Sequence, residues 1–141
     1  MVVNSENQGR SLTVGRDPRI TSIGHWLRAT KVDELPQLIN VYWGEMSLVG
    51  PRPEIPNYVD LYSADQRRVL TLMPGITDLA SVAYRYESEL LAASEDPHRT
   101  YVDVVMPDKI RINLEYADRA SLWGDIRVIL LTLGVWPRRL I

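Results

Sequence analysis

Two adjacent carboxylates, Asp33 and Glu34, stand just ahead of Pro36 at the head of an apolar-periodic run. Paired acids can divide a reaction between them: one attacks an electrophile while its neighbour holds a divalent cation. Leu35, Leu38, Ile39 and Val41 follow at helical spacing, which predicts a helix with one buried face. Proline is tolerated in the first turn of a helix, where its missing N–H would have no partner anyway. Pro36 therefore predicts a helix start at about Lys31–Asp33, with both acids at its N-terminus. That end carries about +0.5 elementary charge and unpaired N–H groups, so a phosphate or a metal–phosphate could share it. The same pair can equally be an N-cap plus a favourable first-turn acid, which is the commoner use of such residues. A second candidate is Arg52 in Gly50-Pro51-Arg52-Pro53. The flanking prolines restrict its backbone, and a pre-oriented guanidinium suits a phosphate or carboxylate. The alternative is a stiff connector with a solvated arginine.

These residues sit in a chain of 141, the size of one domain, with 45% hydrophobic and 24% charged residues, an ordinary globular composition. The net charge of −2 argues against a general nucleic-acid binder. The absence of cysteine excludes disulfides and thiolate metal sites. His25 and His98 are not in metal-binding spacing. There is no run of 18 apolar residues and no signal peptide pattern.

Along the chain, 1–13 is polar and predicts a loop. Ile20, Ile23, Trp26 and Leu27 predict a short amphipathic helix to about Ala29. The helix after the acids should end at Gly44, a natural C-cap, and Met46–Val49 should be extended. Ser63 to Gln66 reads as a capping box opening a helix through Val69, Leu70 and Leu72. Ile76–Tyr86 alternates in part and predicts an extended segment. Helices are expected over 88–93, from Pro97 to about Val105, and again from Met106 to about Arg119. Ser121 caps a last helix rich in Leu, Ile and Val. At ~1.5 Å per residue it is too short to cross a ~30 Å hydrocarbon core. It could lie at a membrane interface with Trp123 and Trp136 as anchors and Arg138 and Arg139 on lipid phosphates, or be a core helix with a solvated tail.

The run DELPQLINV at 33–41, continuing through GEMSLVGPRP at 44–53, resembles the signature of the bacterial sugar transferases, the monotopic phosphoglycosyl transferases. The likeness runs from about Asp17 to Pro53, through Arg19-Ile20-Thr21, Gly24 and Leu27-Arg28, and resumes at Pro74-Gly75-Ile76-Thr77. It implies transfer of a sugar 1-phosphate from a UDP-sugar to polyprenyl (undecaprenyl) phosphate, the step that initiates cell-surface glycan synthesis. Asp33 would be the nucleophile, forming an aspartyl phosphosugar intermediate, and Glu34 would help hold Mg²⁺. Arg52 is the first choice for a phosphate contact and Arg85 the second. Much of the family reads Gly-Trp-Ala-Gln-Val-Asn-Gly-Arg after Pro-Gly-Ile-Thr. Here Asp78, Leu79, Ser81, Ala83 and Tyr84 differ, while Ala80, Val82 and Arg85 are kept, which bears on the identity of the sugar.

The expected fold is α+β and predominantly helical, one compact domain over 1–141 with a small or vestigial β element and interfacial helices. The resemblance places it at the cytoplasmic face of a bacterial inner membrane. Relative to the family the chain reads as N-terminally truncated, without the usual hydrophobic anchor, and weak or no activity is expected of these residues alone. The expected partners are a UDP-sugar, polyprenyl phosphate and the membrane surface; a homo-oligomer stays open and nucleic acid is not expected. Two alternatives remain: an inactive interaction fragment of such an enzyme, and a helix-turn-helix DNA binder built from 20–29 and 33–43. The acids at the head of the would-be recognition helix count against the latter.

Overall fold

The apolar periodicities of the sequence are mostly helical, and a computed structural model, which describes residues 21–30 and 32–135, is mostly helix. Among the described residues the only sheet is a pair of short parallel strands. Helix α1 spans Ser22–Thr30. The Thr21 hydroxyl accepts the Gly24 N–H at 3.1 Å, satisfying one of the donors that a helix start leaves unpaired.

The acid pair does not begin an α-helix as the sequence suggests. Val32–Glu34 is a separate 3₁₀ turn, and α2 begins only at Gln37, with Pro36 at its N-cap. The physical reason is Pro36 itself. It has no N–H to reach back to Val32, so that carbonyl accepts instead from Leu35, three residues on, at 3.2 Å, and the coil tightens into 3₁₀ geometry. Helix α2 runs Gln37–Tyr42 and closes at Gly44 with φ 79°, a left-handed conformation that glycine adopts without strain.

Strand β1 (Ser47–Val49) pairs in parallel with β2 (Gly75–Thr77), Ser47 opposite Gly75 and Val49 opposite Thr77. Between them come α3 (Pro56–Val59) and a 3₁₀ helix, Gln66–Thr71. The capping box forms: Ser63 N–H donates to Gln66 Oε1 at 2.8 Å and Gln66 N–H to Ser63 Oγ at 3.3 Å. After β2 the expected extended stretch is instead α4, Leu79–Ala83. The Asp78 carboxylate starts it, accepting the Ser81 N–H at 2.8 Å and the Ser81 hydroxyl at 2.6 Å. This cap outweighs the partial alternation.

Helix α5 is Glu87–Ala92, and α6 (Pro97–Thr100) passes through a π-helical turn, Tyr101–Val105, into α7, Met106–Ala117. Sequence reasoning predicts a break at Met106-Pro107. The chain instead stays helical by widening, with Met106 N–H bonded to Tyr101 O five residues back, which accommodates a proline that cannot donate. Helix α8 covers Leu122–Thr132, capped by Ser121 Oγ on Gly124 N at 3.1 Å. No helix among the described residues is long and apolar enough to cross a membrane. Trp136, Arg138 and Arg139 lie outside the described residues.

Two apolar clusters hold these pieces. The larger gathers Tyr58, Tyr62, Val69, Leu91, Tyr101, Val105, Met106 and Ile110. The smaller joins α4 and α8 through Val82, Val128 and Leu131, with Val49 and Leu79 against them. The strand pair is seated on α8 and places two motifs in contact. A Cβ on Gly75 would collide with the backbone of Gly50, so glycine is required where the two chains cross.

Candidate active site around Glu34 and Arg52

The sheet brings Gly50-Pro51-Arg52-Pro53 alongside Pro74-Gly75-Ile76-Thr77. Gly50 N–H donates to Thr77 O at 2.9 Å and Gly75 N–H to Pro51 O at 3.2 Å. The Pro-Arg-Pro turn therefore leaves β1 in a fixed direction, toward the acid pair. Arg52 Nη1 donates to Glu34 Oε1 at 2.8 Å, across 18 residues of sequence. The Glu34 side chain is only 12% exposed, while Arg52 is half-exposed at 51%. A guanidinium has five N–H donors, so one bond to Glu34 leaves most of that fork for an anion. Asp33 is exposed and makes no hydrogen bond or ion pair with another described residue. An unencumbered carboxylate beside an oriented one suits a nucleophile with a supporting partner.

Glu34 and Arg52 line a cavity of about 480 Å³, together with Thr77, Ser81, Tyr84, Arg85, Glu87, Lys109 and Thr132. A second cavity, of about 660 Å³, shares Arg52, Arg85, Glu87 and Lys109 with it and reaches Glu54, Tyr62, Tyr101 and Asn113. Three cations thus stand around one polar cleft. Asp33 adjoins this wall through Glu34 but is not part of the cavity linings.

Arg85 lines the cleft, and its Nη2 also serves the fold. It donates to Leu131 O at 2.9 Å and Thr132 O at 2.8 Å, adding a side-chain cap at the end of α8, where Leu131 O also accepts from the Gly134 N–H. Thr132 Oγ1 meets Thr77 Oγ1 at 2.6 Å, which locks α8 to β2 beneath the cleft.

Sequence reasoning missed Lys109 and Glu54. Lys109 Nζ bonds Glu87 Oε2 at 2.8 Å, both side chains a quarter exposed, and lies 5.8 Å from the Tyr101 ring centroid. No local pattern announces it, because packing of α7 brings it to the site. Glu54 directly follows the Pro-Arg-Pro turn, and that adjacency was its available signal. Its Oε2 accepts from the Tyr101 hydroxyl and its Oε1 from the Ile55 N–H at 3.0 Å. The far end of the turn is thereby tied to the π-helical segment. Burial, then the nearby Glu54 charge, pushes the Tyr62 hydroxyl up to about 12. The Tyr101 hydroxyl is raised further by burial and by its bond to Glu54.

The polar residues that depart from the family pattern find partners within the fold. Asp78 caps Ser81, and Tyr84 donates to Asp108 Oδ2 at 2.8 Å. Hydrogen bonds from Arg111 and then Tyr84 hold the Asp108 carboxyl below its usual range. No cluster of three or more His, Cys, Asp or Glu able to hold a metal occurs among the described residues. The adjacent oxygen donors of Asp33 and Glu34 suit a hard divalent ion that keeps water and substrate phosphates as its other ligands.

The remaining membrane candidate, Trp123, is 79% exposed next to the exposed Leu122 at the start of α8, while Val128 and Leu131 of the same helix are buried. One face of this helix is therefore a core face, while its first turn leaves Leu122 and Trp123 open.

Known proteins carry a similar stretch. A galactosyl transferase of Streptococcus agalactiae is 36% identical over 135 residues, covering 96% of this chain and 27% of its own length. A UDP-galactose-lipid carrier transferase of Erwinia amylovora is 40% identical over 123 residues, 87% of this chain and 22% of the relative. A UDP-glucose:undecaprenyl-phosphate glucose-1-phosphate transferase of Caulobacter vibrioides is 38% identical over 120 residues, 83% of this chain and 41% of the relative. The chain thus spans between about a fifth and two fifths of the length of these relatives. The family described as bacterial sugar transferase matches residues 1–139, and the chain belongs to that family.

Proposed function

We propose that this chain carries the catalytic centre of a phosphoglycosyl transferase, moving a sugar 1-phosphate from a UDP-sugar to polyprenyl phosphate. The observation that carries the reading is the Arg52–Glu34 contact at 2.8 Å beside an unencumbered Asp33. It joins two sequence motifs into one anion-facing site. The names of relatives that act on UDP-sugars and undecaprenyl phosphate support the same substrates.

Two phosphate anions must approach each other, so cations have to lie where charge builds up. Arg52, Arg85 and Lys109 supply three from the protein. Mg²⁺ held by Glu34, with Asp33 beside it, would add further screening of phosphate charge. Asp33 attacks the phosphorus that bears the sugar. A P–O bond to the carboxylate forms, the bond to the departing phosphate breaks, and UMP leaves with the electron pair. An oxygen of the lipid phosphate then attacks the same phosphorus and releases the Asp33 carboxylate unchanged, giving a polyprenyl diphosphate sugar. Arg52 steadies Glu34 and keeps its remaining donors for the transferring phosphate. The reaction belongs at the cytoplasmic face of a bacterial inner membrane, with Leu122 and Trp123 resting in the interface. Trp136, Arg138 and Arg139 are the further membrane-contact residues of this reading.

The test is UMP release from a panel of UDP-sugars, with Mg²⁺ and undecaprenyl phosphate in detergent, by the protein expressed from its own gene. Mg²⁺-dependent release that is lost in Asp33→Asn is expected. Release that persists in Asp33→Asn would remove the nucleophile assignment, and no release from any UDP-sugar would remove the transferase reading.

A further inference from the structure

Tyr101 is buried, yet it is linked to two of the cleft's cations, which come from different elements. The first link runs through the Pro-Arg-Pro segment. Residues 51–55 have no regular secondary structure, and no backbone–backbone hydrogen bond among the described residues holds 52–54. The strand pair fixes the segment only as far as Pro51, whose carbonyl accepts the Gly75 N–H. The prolines stiffen it locally but do not fix it against the rest of the molecule. Two side chains do that: Arg52 on Glu34, and Glu54, whose Oε2 accepts from the Tyr101 hydroxyl. A buried phenol needs a hydrogen-bond partner, and any carbonyl would serve; here the partner is the residue two after Arg52. The second link is the ring. Lys109 Nζ lies 5.8 Å from its centroid, within reach of a cation–π contact. Tyr101 is itself held, at the head of the π-helical turn and against Tyr58 of α3, with ring centroids 4.8 Å apart. Arg52 and Lys109 line both cavities of the cleft.

We propose that Tyr101 is a positioning residue for the cleft: its hydroxyl, through Glu54, fixes the segment that carries Arg52, and its ring seats Lys109, so that the two cations stand at a set spacing for a diphosphate. The choice of a diphosphate rests on the transferase reading, in which the donor carries two linked phosphates. Two cations held at one spacing bind such a pair better than two that move independently, because less ordering is left to be done on binding. Tyr101 itself does not act on the reacting atoms. It acts through Glu54 on one side and through Lys109 on the other.

The test is calorimetric binding of inorganic pyrophosphate in the presence of Mg²⁺, alongside UMP release from the panel of UDP-sugars. Tyr101→Phe keeps the ring, and with it the Lys109 contact, but frees Glu54; Glu54→Ala frees the same segment from the other side. Each should weaken pyrophosphate binding about fivefold or more and raise KM for the UDP-sugar by a similar factor. The double variant should be no worse than either single one, since both cut the same tie. Glu54→Ala also removes a negative charge from the cavity lining, which on charge alone would tighten anion binding, so weakening reports lost position. Glu54→Gln keeps an oxygen acceptor for the phenol and should stay within about twofold of the parent protein. Thermal unfolding identifies any variant that does not fold; should Tyr101→Phe fail, the two Glu54 variants carry the comparison. Unchanged pyrophosphate affinity in Tyr101→Phe and Glu54→Ala overturns the inference. So does a loss in Glu54→Gln as large as in Glu54→Ala, which would give Glu54 a direct role through its charge, and so does the absence of pyrophosphate binding by the parent protein. The two claims separate cleanly. Variant-sensitive pyrophosphate binding without UMP release keeps Tyr101 as a positioning residue and removes the transferase, whereas UMP release with affinity and KM indifferent to both variants removes the positioning role alone.

Discussion

At the scale of single residues, the site depends on which carboxylate is held and which is left open. Arg52 holds Glu34 and leaves Asp33 accessible. An ion pair this exposed on the arginine side contributes little to stability, so its value lies in direction. Arg52→Ala should lower turnover by about 10 to 100-fold with little change in melting temperature, and Arg52→Lys should recover only part of it, since an ammonium cannot serve Glu34 and a phosphate as a planar fork does. Steady-state UMP release and thermal unfolding of both variants check this. The acid pair and Arg52 were legible in the sequence because motif and chemistry coincide there. Lys109 and the Glu54–Tyr101 tie were not, since each depends on contacts across 22 or more residues that no local spacing encodes.

Among the elements, the strand pair decides whether the site exists. Three residues in each strand are too few to be stable alone, and what holds them is the crossing at Gly50 and Gly75 together with α8 behind. Gly75→Ala places a methyl against the Gly50 backbone and should cost about 2 kcal/mol or more, read as a lower unfolding midpoint with proportionate loss of activity. Asp78→Ala removes the cap of α4 and should cost about 1–2 kcal/mol. Helices with a cap or a proline at their first position were readable from the sequence, as at Ser63, Pro97 and Ser121. The elements that changed type did so next to a special residue. Pro36 tightened the acid turn into 3₁₀, Pro107 widened the helix into a π turn, and Asp78 converted an alternating stretch into α4.

For the whole molecule, three tyrosines of the larger cluster, Tyr58, Tyr62 and Tyr101, are buried around Glu54 and raised in pKa. In the unfolded chain these hydroxyls titrate near pH ~10. Because their folded values lie higher, the stability they contribute is complete below that pH and is lost as pH rises toward 12 and beyond. The unfolding free energy from denaturant titration should be flat from pH 7 to about 9.5 and then fall, by up to about 1.4 kcal/mol per pH unit for each tyrosine; Tyr62→Phe should reduce that slope. A predominantly helical α+β fold was legible from periodicity and composition, but the joining of Glu34, the Pro-Arg-Pro turn and α8 around one cleft required the packed molecule. Asp33, next to Glu34 at the edge of that cleft, is proposed to become covalently bonded during turnover. Mass spectrometry of the whole protein, quenched after exposure to Mg²⁺ and its UDP-sugar without lipid phosphate, tests it most directly. A sugar-phosphate adduct is expected on the peptide containing Asp33, and it should vanish in Asp33→Asn and on adding undecaprenyl phosphate. Steady UMP release with no adduct on that peptide, or an adduct that survives Asp33→Asn, would contradict it.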